Sequence, residues 1–438
     1  MVKRLWLIII LFGVAPAWAQ APGIATGTSA MVIPPPVSGE PYPTEGSSLA
    51  RSNYLSGGLI FNTAYTDNLL GGTSQKPISD ISYSVWPKIA LDEDTSRLHT
   101  LLTYSPGFTF YQRTSSYNQD NQNVAIDFSY RLSPHVALTL RDSLQKTSNI
   151  FNQPDLLAAT PVSGSTQAPA VAVVAPVADQ LGNTSNALLT YQFSRNDMVG
   201  AAGTFSNLHY IDPNQVPGLF DSNSSGGLAF YTHRLSREQY IGATYQYARI
   251  LAYPTDAVSE TQSNSILVFY TVYFKPTFSL SFSGGPQHYD VGLPLLPEFQ
   301  AWCPSGSASL GWQGRHTAFS AGYSRAVTAG GGLVGAFNSN SATLSARQQL
   351  TRQWRAGLSG GYSIYKTLDP LLSLANPGGH TVSGSASIKY DLDAHMYVEL
   401  GYTRLHQSYG SVAAVSAFPN VNREWISISY QFTRPLGR

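Results

Sequence analysis

This chain of 438 residues has one cysteine, Cys303, and little charge. A lone cysteine excludes an intramolecular disulfide and any cysteine-based metal site; we read it as an incidental thiol in a loop. Asp, Glu, Lys and Arg make up only 12% of the chain, about half the usual share of a soluble domain. A water-exposed surface so poor in charge is hard to keep soluble, whereas a surface facing lipid needs none. Long apolar runs are missing too. The one candidate, Leu5–Val14, is too short to cross a bilayer as a helix. No basic excess exists to hold nucleic acid: without Lys3 and Arg4, 24 basic residues face 25 acidic ones. No P-loop, no dinucleotide fingerprint and no His-Glu-x-x-His motif occurs, so the sequence predicts no enzyme, no cofactor and no catalytic residue.

What is present is a rhythm. Lys3 and Arg4, the apolar run and Ala17-Trp18-Ala19 read as an export signal over 1–19, cleaved before Gln20. Residues 20–50, with Pro34-Pro35-Pro36, read as a flexible periplasmic N-terminal extension. From residue 51 onward, segments of alternating apolar and polar residues are joined by short and long links in turn. Short turn-like links such as Ser133-Pro134-His135 and Asp391-Leu392-Asp393-Ala394 carry residues that turns favour. The spacing predicts eighteen strands, near 55–66, 79–92, 97–113, 122–132, 136–148, 184–194, 198–210, 223–234, 239–252, 262–274, 277–289, 305–314, 317–327, 339–350, 354–367, 380–391, 395–408 and 423–433. Sixteen is the alternative if a long strand has been split or a loop promoted.

The expectation is therefore an all-β, antiparallel up-and-down transmembrane barrel over 51–438. In the last strand Ile426, Ile428, Tyr430 and Phe432 share one face, while Ser427, Ser429 and Gln431 share the other. Half the residues then face a watery lumen, consistent with a mean hydropathy of −0.10. A soluble propeller or sandwich is disfavoured by the lack of an internal repeat and by the alternation of link lengths.

The early strand ending Tyr65-Thr66-Asp67-Asn68 and the closing strand Trp425–Phe432 resemble the beta-barrel porin 2 group of outer-membrane proteins. The resemblance implies a Gram-negative outer-membrane location and insertion by the barrel-assembly machinery. Phe432 has the parity of the aromatic residue with which such barrels often end, although Thr433–Arg438 extend past it.

Candidate functional residues follow from parity. Lys146, Arg249, Arg325, Lys366 and Arg404 end ascending strands on the lipid-facing parity, as candidate lipopolysaccharide contacts. Arg113 and His288 lie at equivalent heights. Arg131, Arg141, Lys389 and Glu399 are candidate lumenal charges that would set selectivity. Arg141 and Asp142 cannot share the lumen without a bulge. The link near 149–183, with Pro154, Pro161, Pro169 and Pro176, is long enough to fold inward or to stay outside. Asp92-Glu93-Asp94 reads as a solvated turn rather than a metal site. The reading is a porin-like passive channel for small polar solutes, with outer-membrane lipids and lipopolysaccharide as surroundings. The alternatives are a barrel for polysaccharide export, or a structural or adhesive barrel with a closed lumen.

Overall fold

The computed structural model describes residues 53–71, 76–147, 178–212, 215–254, 258–275, 277–292, 297–330, 333–368, 378–410 and 419–436, with Met31, Val37 and Ser416. The strands are β1 (Tyr54–Thr66), β2 (Asp80–Asp94), β3 (Leu98–Tyr111), β4 (Gln119–Arg131), β5 (Val136–Thr147), β6 (Gln180–Gln192), β7 (Asp197–Tyr210), β8 (Asp221–Arg234) and β9 (Gln239–Tyr253). They continue as β10 (Ser259–Lys275), β11 (Phe278–Gly292), β12 (Phe299–Gln313), β13 (Thr317–Gly330), β14 (Leu333–Gln349), β15 (Trp354–Thr367), β16 (Gly378–Asp391), β17 (Met396–Tyr409) and β18 (Asn420–Pro435). Each pairs antiparallel with its sequence neighbours, and β1 pairs with β18, so the sheet closes into a barrel of 18 strands. Every strand has a partner on both sides, which closes the sheet as a lipid environment demands.

The seam is fastened at both ends. At the long-link end the Asp67 carboxylate accepts from the Asn422 backbone N–H at 2.7 Å and from its side-chain amide at 2.6 Å. Beside it the Asn68 amide donates to the Asn420 carbonyl at 2.9 Å. The Asp67-Asn68 pair thus has a mechanical role, clipping the first strand to the last. At the short-turn end Phe432 lies across Gly57, where a Cβ would meet its ring at 2.3 Å. β18 runs on past Phe432, Pro435 pairing with Tyr54. The aromatic terminus therefore sits inside a continuing strand.

Side-chain alternation sorts the two faces. Phe61, Tyr83, Leu102, Val124, Leu140, Phe205, Val268, Leu344, Leu400 and Ile428 project outward and are exposed. The opposite parity carries small and polar side chains into the bore. Pro87 and Pro106 lack the ladder donor, and β2–β3 pairing lapses between Val85↔Phe108 and Ile89↔Tyr104. There Trp86 lies flat over Gly107 inside the bore.

The wall is not cylindrical throughout. β12 and β13 pair only up to Gly306↔Arg325, while β13–β14 pairing continues to Gly330↔Leu333. Beyond Arg325 β13 leaves β12 and bends inward, while β14 stays paired to β15 as far as Phe337↔Thr367, so on that side only the tip above Phe337 leaves the wall. The Val327 N–H donates to Oε1 of Gln287 at 3.1 Å, reaching lumenal β11 across the inner face of β12. Val327 is buried there with Tyr289 and Val291, and Cys303 packs against them. Cys303 thus belongs to strand β12 and the lumenal face, not to a loop.

Candidate functional site

The bore is the candidate site, and its narrowing is built by the inward hairpin. Leu333 and Phe337 of β14 are fully buried against Leu208 and Tyr210 of β7, Val216 and Leu219 of the next link, and Tyr409 of β17. β14 sits seven strands from β7 and three from β17 in the sheet order. Contacts to both place the hairpin tip across the mouth at the long-link end.

Below it, one side of the bore is a wall of hydroxyls. Lumenal Ser and Thr from β10 to β17 pair across strands: Thr271 with Ser281 at 2.5 Å, Ser283 with Ser307 at 2.9 Å, Ser320 with Ser345 and Ser324 with Ser341 at 2.7 Å, and Thr403 with Ser385 at 3.3 Å. Small hydroxyl side chains leave space and offer both donors and acceptors to a solute. They carry no charge.

Lumenal charges lie toward the short-turn end of β14–β17 and on β4 and β5. Arg141 faces the bore and donates its Nε–H to Asp127 at 3.1 Å. Arg131 is exposed at the short-turn end of β4. Lys389 and Glu399 are direct partners in the β16–β17 register. The Lys389 ammonium lies 3.1 Å from the Tyr397 ring centroid, and Glu399 is buried. Three lumenal residues escaped the sequence reading. Arg355 forms a fork with Asp391, its Nε at 3.0 Å from the carboxylate. Arg347 lies within the field of Glu399. Arg423 is buried two residues before Trp425. The signal for Arg423 was present: extending the Ser429, Ser427 face by two steps reaches it.

At the short-turn end Met31 and Val37 are buried with Met198, Phe230, Tyr240 and Phe269, which line the lumenal face of β7–β10. The Met31 N–H donates to the Gln192 side chain at 3.2 Å. These two residues belong to the segment expected to be a flexible periplasmic extension; the rest of 20–50 lies outside the described residues, as do the signal segment 1–19 and residues 148–177 of the long link.

The outer-rim candidates differ from one another. Lys146 is held by Asp120 at 2.8 Å, and Arg249 forms a fork with Glu260 at 2.7 and 3.0 Å. Lys366 and Arg404 are exposed and make no ion pair among the described residues. Arg325 is the last residue of β13 paired to β12, at the point of the inward bend. The Arg113 N–H donates to Asp80, and the His288 ring lies against Trp302 with centroids 4.9 Å apart and planes inclined at 59°. Asp142 takes the outward face with no bulge in its register, among Ile126, Leu140 and Leu144. Ser185 and Asn183 donate to its carboxylate there.

Asp92 and Asp94 close β2 rather than forming a free turn. No cluster of three metal-ligating side chains occurs among the described residues. No described helix is long and apolar enough to cross a membrane, and the crossing element is instead the closed sheet with its apolar outer face. The chain is an outer-membrane-type β-barrel.

No family model and no curated relative matches the chain. Among solved structures it is similar to the outer-membrane protein OpdK of Pseudomonas aeruginosa, at 10% identity and a TM-score of 0.42, covering 87% of this chain and 99% of that one. It is also similar to OccK2 (OpdF) of the same organism in complex with glucuronate, at 9% identity and a TM-score of 0.43, covering 87% and 98%. OccAB4 of Acinetobacter baumannii matches at 9% identity and a TM-score of 0.42, covering 90% and 100%.

Proposed function

We propose that this barrel is a passive outer-membrane channel for small polar solutes, narrowed at its outer mouth by the β13–β14 tip. The observation that carries the reading is the inward bend beyond Arg325. It turns a wall hairpin into a constriction while leaving a hydroxyl-lined passage beneath it. Eighteen strands enclose a bore wide enough for water unless something fills it. A constriction made of packed side chains admits small solutes and excludes large ones. The paired charges Arg141–Asp127 and Arg355–Asp391 are neutralised locally. Lys389, Arg347 and Arg423 outnumber Glu399 among the remaining charges of β14–β18, and such an excess of positive side chains would tilt the field toward anions, because charges lining a pore bias which ions enter.

The test is liposome swelling with neutral sugars of increasing size and with organic anions. Permeation that falls off sharply with solute size supports a constricted channel. No swelling with any solute, from a folded and inserted barrel, contradicts it.

A further inference from the structure

On the outer surface near the long-link end, β15, β16 and β17 form a groove of about 490 Å³. Gly378 and Gly379 form its floor, and Tyr362, Lys366, His380 and Ser408 line it. The His380 ring lies against that of His406 of β17, with centroids 5.3 Å apart and planes inclined at 33°. The Asn420 side-chain oxygen, 3.0 Å from His406 Nδ1, orients that second ring. No carboxylate lines the groove, and Lys366 has no ion-pair partner among the described residues. Lys146 and Arg249, at the same rim, each carry their own carboxylate. Tyr362 of the groove and Val382 beside it are exposed and continue into the apolar belt.

We propose that this groove binds the phosphate group of an outer-leaflet lipid, with Lys366 and His380 as donors, His406 backing His380, and the apolar side chains below receiving the acyl region. An ammonium and an imidazole with no counter-ion among the described residues suit a phosphate, whose oxygens accept charge-assisted hydrogen bonds. The adjoining apolar surface selects a ligand with a tail. The inference rests on the barrel standing in an outer membrane, so insertion is scored separately.

The experiment uses the full mature barrel, refolded in lipid-free detergent and checked for heat-modifiable migration. Native mass spectrometry then reads binding of phosphorylated lipid A, dephosphorylated lipid A and inorganic phosphate. Lys366→Gln and His380→Gln should each weaken phosphorylated lipid A by about tenfold, the worth of one charge-assisted hydrogen bond. Lys366→Arg should keep most of the affinity, and Lys146→Gln should change nothing. Equal losses in Lys146→Gln, or equal binding of dephosphorylated lipid A, would overturn the site. Inorganic phosphate binding as tightly as the lipid would overturn the lipid as its source. A variant that loses heat-modifiability has lost the fold; Lys366→Arg, which keeps charge and length, then decides.

Discussion

Replacing Phe337 with Ala should open the channel. Phe337 is fully buried among Leu208, Tyr210, Val216, Leu219 and Tyr409. Truncating a buried Phe costs about 3–5 kcal/mol through lost transfer energy and the cavity left behind. That cost falls on the docking of the hairpin tip, because β14 below it stays hydrogen-bonded to both β13 and β15. Each ~1.4 kcal/mol is a tenfold change in an equilibrium, so the undocked population should rise by roughly two to four orders of magnitude. Single-channel recording in a planar bilayer reads this directly. The variant should show larger or flickering conductance steps and admit solutes that the wild type excludes. An unchanged unitary conductance and size limit, in a variant that migrates as a folded barrel, would refute the claim that this tip sets the constriction.

Other substitutions test other parts of the account. Glu399→Gln removes the carboxylate that opposes Lys389 and Arg347, and the reversal potential in a salt gradient should move toward anion preference. Asp142→Leu replaces an outward carboxylate lying between Leu140 and Leu144; Ser185 and Asn183 retain their own 3.1 Å hydrogen bond, and stability by urea titration should rise by about 1 kcal/mol. Gly107→Ala drives a Cβ to within 2.3 Å of the Trp86 ring, and the same titration should show a loss of about 1–3 kcal/mol from overpacking. In the β16–β17 turn, the backbone N–H groups of His395 and Met396 donate to Asp393 at 2.6 and 2.7 Å and hold its carboxyl below the usual range. A lowered carboxylate stabilises at neutral pH and loses that effect as the pH falls through its folded value, so Asp393→Asn should flatten the acid side of the stability profile.

The barrel was legible because its solvent differs on its two faces. Lipid outside and water inside force a period of two, and Ile426 to Phe432 show it without the structure. In the register Arg141 takes the inward face and Lys366 the outward one. The strand ends were less legible where the wall bends. β12 was expected from 305 but begins at Phe299, and β14 from 339 but begins at Leu333. Both extra segments lie beside the inward hairpin, where Val327, Leu333 and Phe337 meet protein on a face that elsewhere meets water. Alternation loses its meaning there, since both faces can be apolar. The constriction itself depends on contacts between β14 and β7 that no local pattern encodes. Which rim cations are neutralised depends on cross-strand partners, such as Asp120 for Lys146, and so on register rather than spacing.

The central claim is a constricted but open bore, and single-channel conductance of the refolded wild-type barrel, residues 20–438, tests it most directly. The account predicts stable ohmic steps with a mild preference for anions. A folded, heat-modifiable barrel that conducts nothing would contradict it and identify a closed lumen.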